Sequence, residues 1–217
     1  MTLPYARIAE LSAHAGKQVR VRGWVTHLRS SGKVAFIVMR DGSGSLQCVL
    51  VKVSLPRETW ERFAQLTQET TIEVTGEARP DARAPGGYEL AVSDLLVTGS
   101  SPIDYPIQPK EHGIDFLLDN RHLWLRSERQ RAIAGVRHEV EQGIRDFFHD
   151  RDFLLVDTPI LTAAIGERSG LFATEYFDEG YAYLAQTGQL YGEAAAAAFG
   201  KIYCFGPTFR AEKSKTR

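Results

Sequence analysis

Residues 205–217 read FGPTFRAEKSKTR, a run that opens in strand-like letters, sets Arg210 and Glu212 two apart, and then turns basic. Alternate side chains of a strand share a face, so Arg210 and Glu212 are expected to project together, with Phe209 and Ala211 opposite. A guanidinium fork suits a phosphate oxygen, and a neighbouring carboxylate can accept from an exocyclic amine. A bare Arg-x-Glu describes an ion pair on a strand surface equally well. The surrounding segments must decide.

Working upstream, KIYCFGPTFRAE (201–212) reads as a strand pair or one long bent strand, and GQLYGEAAAAAFG (188–200) as a helix stopped by Gly200. FLLVDTPIL (153–161) is expected to be a strand ended by Pro159. Before it, Ile133, Val136, Val140, Ile144 and Phe147 fall on one stripe of a long helix. Ser127 with Gln130 three residues on supplies an N-terminal capping box.

The first half of the chain has a different grammar. QVRVRGWV (18–25) alternates, with Val19, Val21 and Trp24 set against Arg20 and Arg22. VAFIVMRD, LQCVLV, TTIEVTGEARP and YELAVSDLLVTG supply four further strands. PRETWERFAQL interrupts them with helical spacing of Trp60, Phe63 and Leu66, and a short helix is expected within residues 4–15 around Ile8 and Leu11. The order strand, strand, strand, helix, strand, strand is that of an OB-fold, though other small barrels share the strand count. Three prolines in GSSPIDYPIQPKE (99–111) exclude a helix interior or a central strand. The chain is therefore divided into a barrel (1–98), a linker (99–120) and a second domain (121–217).

Bulk composition adds limits. The 217 residues carry a net charge of −1 and 43% hydrophobic residues, enough for a sizeable core. Residues 11–40 nevertheless hold Lys17, Arg20, Arg22, Arg29, Lys33 and Arg40 with no acid, a local surface that could take phosphate. Cys48 and Cys204 are too few for a disulfide framework or a zinc site and are expected to be buried thiols. No apolar run is long enough for a membrane span, and the first residues lack the apolar centre of a signal peptide, so a cytoplasmic protein without a membrane partner is the default.

With these segments in view, GPTFRAEKSKTR resembles the second signature motif of class II aminoacyl-tRNA synthetases, and FLLVDTPIL with its preceding helix resembles the first. HGIDFLLDNRHLWLRS and YLAQTGQLYGEAAAAAFGKIYCFGPTFRAEKSKTR are similar to the asparaginyl members of that class. The resemblance implies an α+β chain: a five-stranded OB-fold barrel that grips the anticodon, then the first part of an antiparallel-sheet catalytic domain. It implies ATP with Mg²⁺, asparagine and tRNA(Asn) as ligands, and a homodimer. Arg210 matches the arginine that holds the α-phosphate and acts in catalysis, and Glu212 the glutamate on the ATP side. Gln189, with Gln186 nearby, matches the amino-acid contact. Glu167 corresponds to the glutamate that binds the substrate ammonium, although an exposed loop glutamate would look the same. Pro159 matches the proline at the dimer interface. In the barrel, Arg29, Phe36 and Gln47 match anticodon contacts, where an aromatic ring can stack an unpaired base and polar groups read its edges. For Phe36, a core position fits VAFIVM equally well.

The nearest rival is the aspartyl branch, in which a lysine three residues after the glutamine pairs with the substrate's side-chain carboxylate. Here that position is Gly192. An unpaired buried carboxylate is costly, so Gly192 favours asparagine. The resemblance implies that the protein ligands for Mg²⁺ follow the second motif. On the same reasoning the chain is expected to stop inside that motif and to lack catalysis alone. A tRNA-binding barrel without catalysis, or an aspartate–tRNA ligase, remains the alternative.

Overall fold

The computed structural model describes residues 3–102, 104–163 and 170–213. The chain divides into two compact units, Met1–Arg121 and His122–Arg217.

In the first unit a 3-10 turn, Ile8–His14, buries Ile8 and Leu11 and stands where the short helix is expected. The strands β1 (Gln18–Ser31), β2 (Val34–Arg40) and β3 (Ser45–Val51) follow, then helix α1 (Arg57–Ala64), then β4 (Thr71–Pro80) and β5 (Tyr88–Gly99). They close into a barrel of order β1-β2-β3-β5-β4. The long strand β1 runs antiparallel to both β2 and β4, and a short parallel pairing of β3 with β5 completes the ring. This is the OB-type barrel. Period-2 burial builds its core: Ala35, Ile37 and Met39 from β2 and Leu46, Cys48 and Leu50 from β3 are fully enclosed. Burial pushes the Cys48 thiol upward and keeps it protonated. Trp60 and Phe63 of α1 pack against this core.

One residue of β1 departs from its expected face. The inward row is Val19, Val21, Gly23 and Val25, and Trp24 lies on the outer surface, 39% exposed. Strict alternation from Val21 reaches Gly23, which has no side chain, so the large apolar letter beside it misleads.

The turn between β2 and β3 ties the barrel to the N-terminal segment. Asp41 accepts hydrogen bonds from the Ser43 amide and hydroxyl, both at 2.6 Å, and from the amides of Gly44 and Ile8, both at 2.9 Å. Partial burial alone would raise its carboxyl, but these donors outweigh that and hold it below the ordinary value. The folded-state pKa is thus depressed. Its stabilising share is complete above the unfolded value of about 4 and is lost as pH falls through the folded value. Asp41→Asn is expected to lower stability at pH 7 by about 1–3 kcal/mol. The gap to wild type should narrow in melts taken below about pH 4, where the unfolded carboxyl takes up a proton that the native one still resists. A gap of constant size at pH 7 and pH 3 would contradict this.

The proline-rich segment is anchored on its own unit. Tyr105 is buried, and the Gln68 side-chain amide donates to the Ile107 carbonyl at 3.1 Å. Two short helices follow, α2 (Ile114–Asp119) and α3 (Arg121–Trp124), where no element is expected from periodicity.

The second unit opens with α4 (Glu128–His149), whose Ser127 cap accepts from the Gln130 amide at 3.3 Å, as predicted. After it come β6 (Leu154–Leu155), β7 (Leu161–Thr162), β8 (Ala173–Glu175), β9 (Tyr181–Leu184), α5 (Gln189–Phe199) and β10 (Ile202–Tyr203). β7, β9 and β8 form an antiparallel sheet in that order, while β6 pairs in parallel with β10. Phe148 of α4 stacks on Tyr203 at 4.4 Å and meets Phe153 edge-on at 5.3 Å, locking the helix end to the β6–β10 pair.

Three expectations need correction here. The strand expected to run up to Pro159 covers only Leu154–Leu155. The strand expected across 201–212 covers only Ile202–Tyr203, because no regular ladder continues beyond it. Cys204 is exposed rather than buried. The predicted stripe of α4 is also open, with Ile133, Val136, Val140 and Phe147 each at least half exposed.

Candidate functional site

The outer surface of β1, β2 and β3 gathers the three barrel residues singled out from sequence. A register shift between Val25 and His27 lets β1 bend and brings Arg29 opposite Phe36. Phe36 alternates with the buried Ala35 and Ile37, so it faces outward and is not a core residue. The Arg29 guanidinium lies over its ring, 4.3 Å from the centroid. The same guanidinium donates to the Gln47 side-chain oxygen at 3.0 Å, and the Gln47 amide donates to Glu89 at 3.4 Å. Arg29, Phe36 and Gln47 thus form one continuous polar–aromatic patch. Glu89 completes it through the parallel β3–β5 pairing, which places Gln47 opposite Glu89. No local pattern marks Glu89, because its partner is distant in sequence.

The basic run of residues 11–40 is less open than its letters imply. Arg22 and Arg20 both meet Glu73, at 2.8 and 3.4 Å. Partial burial of Glu73 would raise its carboxyl, but hydrogen bonds from Arg22 and Tyr5 and the two guanidinium charges hold it low. Arg40 meets Glu69 at 2.7 Å with both side chains largely buried. Arg29 meets no carboxylate among the described residues. It is the arginine of this group left to face an incoming anion.

In the second unit a cavity of about 580 Å³ opens at the start of α5. Gln189 lines it, with Gly192 and Glu193 on the same helix, Asp157 and Thr158 after β6, and the segment from Cys204 to Thr208 on the far wall. Gln189 is the first residue of α5, its amide capped by the Thr187 hydroxyl at 3.1 Å. Its side-chain nitrogen donates to Glu193 at 2.9 Å, leaving the amide oxygen as an acceptor. Glu193 was not singled out from sequence, although its spacing of four from Gln189 on a helix puts the two on one face. Gly192 is buried, and a Cβ there would touch Ile202 and Cys204 at ordinary distances of 3.7 and 3.9 Å.

Arg210, Glu212 and Gln186 are not among the residues lining this cavity. The Phe209 and Ala211 amides donate to the Ala185 and Gly170 carbonyls at 2.9 and 2.7 Å, which ties this run to residues that do not line the cavity. Arg210 is exposed and makes no ion pair among the described residues. Pro159 is exposed. Glu167 lies outside the described residues. Among the described residues no group of three or more His, Cys, Asp or Glu is placed to hold a metal ion, and no helix is long and apolar enough to cross a membrane.

Residues 19–98 match the family described as OB-fold nucleic acid binding domain, and residues 113–217 match tRNA synthetases class II (D, K and N). The second half of the chain is thus similar to the class II tRNA synthetases. Among the relatives, the asparagine–tRNA ligase of Chloroflexus aurantiacus is 53% identical over 216 residues, covering 99% of this chain and 49% of that protein. The asparagine–tRNA ligase of Sorangium cellulosum is 54% identical over 215 residues, covering 99% and 48%. The crystal structure of asparaginyl-tRNA synthetase from Pyrococcus horikoshii, complexed with asparaginyl-adenylate, superposes with a TM-score of 0.88 at 36% identity, covering 98% of this chain and 49% of that one. The chain thus spans about half the length of the relatives it matches.

Proposed function

We propose that this chain works within an ATP-dependent ligase that joins asparagine to tRNA(Asn). The observation that carries the reading is the Arg29–Phe36–Gln47 patch on the open face of the barrel. An aromatic ring with one face under a guanidinium, beside an amide, suits an unpaired base of an RNA loop. Arg29 and Gln47 then read the base edges while Phe36 stacks.

The amino-acid end follows from the cavity at α5. Among the described residues its lining includes the carboxylates of Asp157 and Glu193 and no lysine, arginine or histidine. A substrate ammonium is attracted there and a second carboxylate is repelled. An asparagine side chain needs no counter-charge, whereas aspartate would bury an unpaired anion. This supports asparagine over aspartate. Arg210, exposed and unpaired among the described residues, fits an α-phosphate oxygen, with Glu212 on the nucleotide side. In the reaction, the asparagine carboxylate attacks the α-phosphorus and pyrophosphate leaves. The terminal ribose hydroxyl of the tRNA then takes the acyl group and AMP departs. The side chains contribute positioning and charge neutralisation. Mg²⁺ would accompany the nucleotide phosphates, and the described residues offer no ligand cluster for it. A cytoplasmic homodimer goes with this reading, and the open apolar stripe of α4, together with the exposed Pro159, supports a self-association surface.

The test uses the full-length polypeptide. It is expected to catalyse ATP–pyrophosphate exchange with asparagine and not with aspartate. Phe36→Ala should leave that exchange unchanged while kcat/KM for charging tRNA(Asn) falls about 5- to 100-fold, the worth of one stacked base. Absence of exchange with asparagine would reduce the reading to a binding module. Unchanged charging by the variant would remove Phe36 from the RNA site.

A further inference from the structure

The outer face of the barrel holds a second aromatic–arginine pair. Trp24 on β1 stands opposite Arg40 on β2, as Arg29 on β1 stands opposite Phe36 on β2. The Arg40 guanidinium lies over the Trp24 ring, 5.0 Å from its centroid. We propose that Trp24, backed by Arg40, is a second stacking platform for unpaired RNA bases, at the other end of the face from Phe36. The proposal rests on the reading that this face binds RNA.

Three features support it. First, Trp24 is the large aromatic of β1 that turns away from the core while Val19, Val21 and Val25 fill it. An indole left 39% exposed beside a strand ladder offers a flat apolar surface to a base. Second, Arg40 is held rather than free. One of its guanidinium nitrogens donates to both Glu69 oxygens, at 2.8 and 2.7 Å, and Glu69 is itself buried. A fixed guanidinium behind the ring keeps the indole from collapsing against the strand, so little ordering remains for binding. Third, the spacing suits a loop. Phe36 and Arg40 are four residues apart on one strand, about 13–14 Å at strand rise. Stacked nucleotides advance about 3.4 Å each, so the two platforms bracket some four bases of one strand. The rung between them, His27 opposite Val38, carries no acid that would repel the RNA backbone.

Because Glu69 neutralises Arg40, the platform should add stacking and no net charge. That separates it from a phosphate contact. The experiment titrates this chain with a tRNA(Asn) transcript at several salt concentrations, following affinity and tryptophan fluorescence. Trp24→Leu is expected to weaken binding about 10-fold, with the slope of log affinity against log salt unchanged. Trp24→Phe should restore affinity to within about threefold, since a ring remains to stack. RNA should quench the wild-type fluorescence, and Trp24→Phe should lose that quench. If Trp24→Leu fails to fold, the Trp24→Phe quench comparison decides alone, and a persistent quench overturns the proposal. If Trp24→Leu binds as wild type while Phe36→Ala weakens binding, the second platform is wrong and the RNA-binding reading stands. If neither substitution changes binding, both fall.

Discussion

Glu69→Ala is expected to destabilise the barrel by about 3–5 kcal/mol, because it strands the Arg40 guanidinium in a largely buried position. The side chains of Arg40 and Glu69 are 16% and 6% exposed, and Arg40 reaches both carboxylate oxygens. For a domain of this size the loss corresponds to a fall in Tm of roughly 12 °C or more. It would consume a large part of the 5–15 kcal/mol typical of a whole domain. Some relief is available, since Arg40 can tilt outward past Trp24 to water, and that places the expected value at the low end. A second effect runs the other way. Glu69 sits at a backbone φ of 65°, in the left-handed region, with its amide bonded to the Val25 carbonyl at 2.7 Å. A residue with a Cβ is strained there by about 1–2 kcal/mol, and glycine is not. Glu69→Gly should therefore melt above Glu69→Ala even though both lack the carboxylate. Thermal melts of the two variants separate the ion pair from the backbone. An alanine variant within about 3 °C of wild type would show that the pair contributes little. A glycine variant melting below the alanine one would show that the conformation carries no strain.

Legibility from the letters followed the range of the interaction. Val19 and Val21 are buried as their alternation requires, and the Ser127 cap forms as its spacing requires, because each depends on neighbours within a few residues. Phe36 could not be placed this way. VAFIVM is apolar on both faces, and only the register that sets Arg29 opposite Phe36 shows which face is wet. The alternation sets Trp24 in the inner row because Gly23, the true inward position, has no side chain to announce itself. Glu89 joins the patch of Arg29, Phe36 and Gln47 through a parallel pairing across 42 residues, for which local sequence has no signal. In the second unit, Gln189 of TGQLY lines the cavity, and helical spacing could have added Glu193. The run 205–212 alternates like a strand. Extended backbone has that period whether or not a ladder forms, and here alternate amides bond to two separate segments, at Ala185 and Gly170. Where Arg210 and Glu212 project is therefore a matter of the chain's path beyond Thr208, which residue pattern does not encode.

Gly23→Ala and Gly76→Ala should each destabilise the barrel by about 3 kcal/mol, at the upper end of the range for overpacking, since the obstructing atoms are backbone. A Cβ built on Gly23 would lie 2.2 Å from the Arg40 carbonyl oxygen, and one on Gly76 would lie 2.4 Å from that of Ala91. Side chains can rotate away from a clash, but these carbonyls belong to neighbouring strands and can move only by shifting the sheet. Propensity argues for the opposite sign. Glycine weakens a strand interior through its conformational freedom, so alanine at either site should help if local preference decided. The two accounts thus differ in direction as well as size. The register explains why close approach is needed. Gly76 sits at a shift in the β4–β5 pairing between Thr75 and Gly76, and Gly23 precedes the shift in β1 between Val25 and His27. At these bends a strand coils tightly enough to serve two neighbours, and five strands can close a ring only if it does so. Urea unfolding reads the outcome directly: a lower midpoint with an unchanged m-value locates the loss in the native barrel. A midpoint equal to or above wild type for either variant would mean that the strands separate there at little cost and that closure does not depend on the glycine.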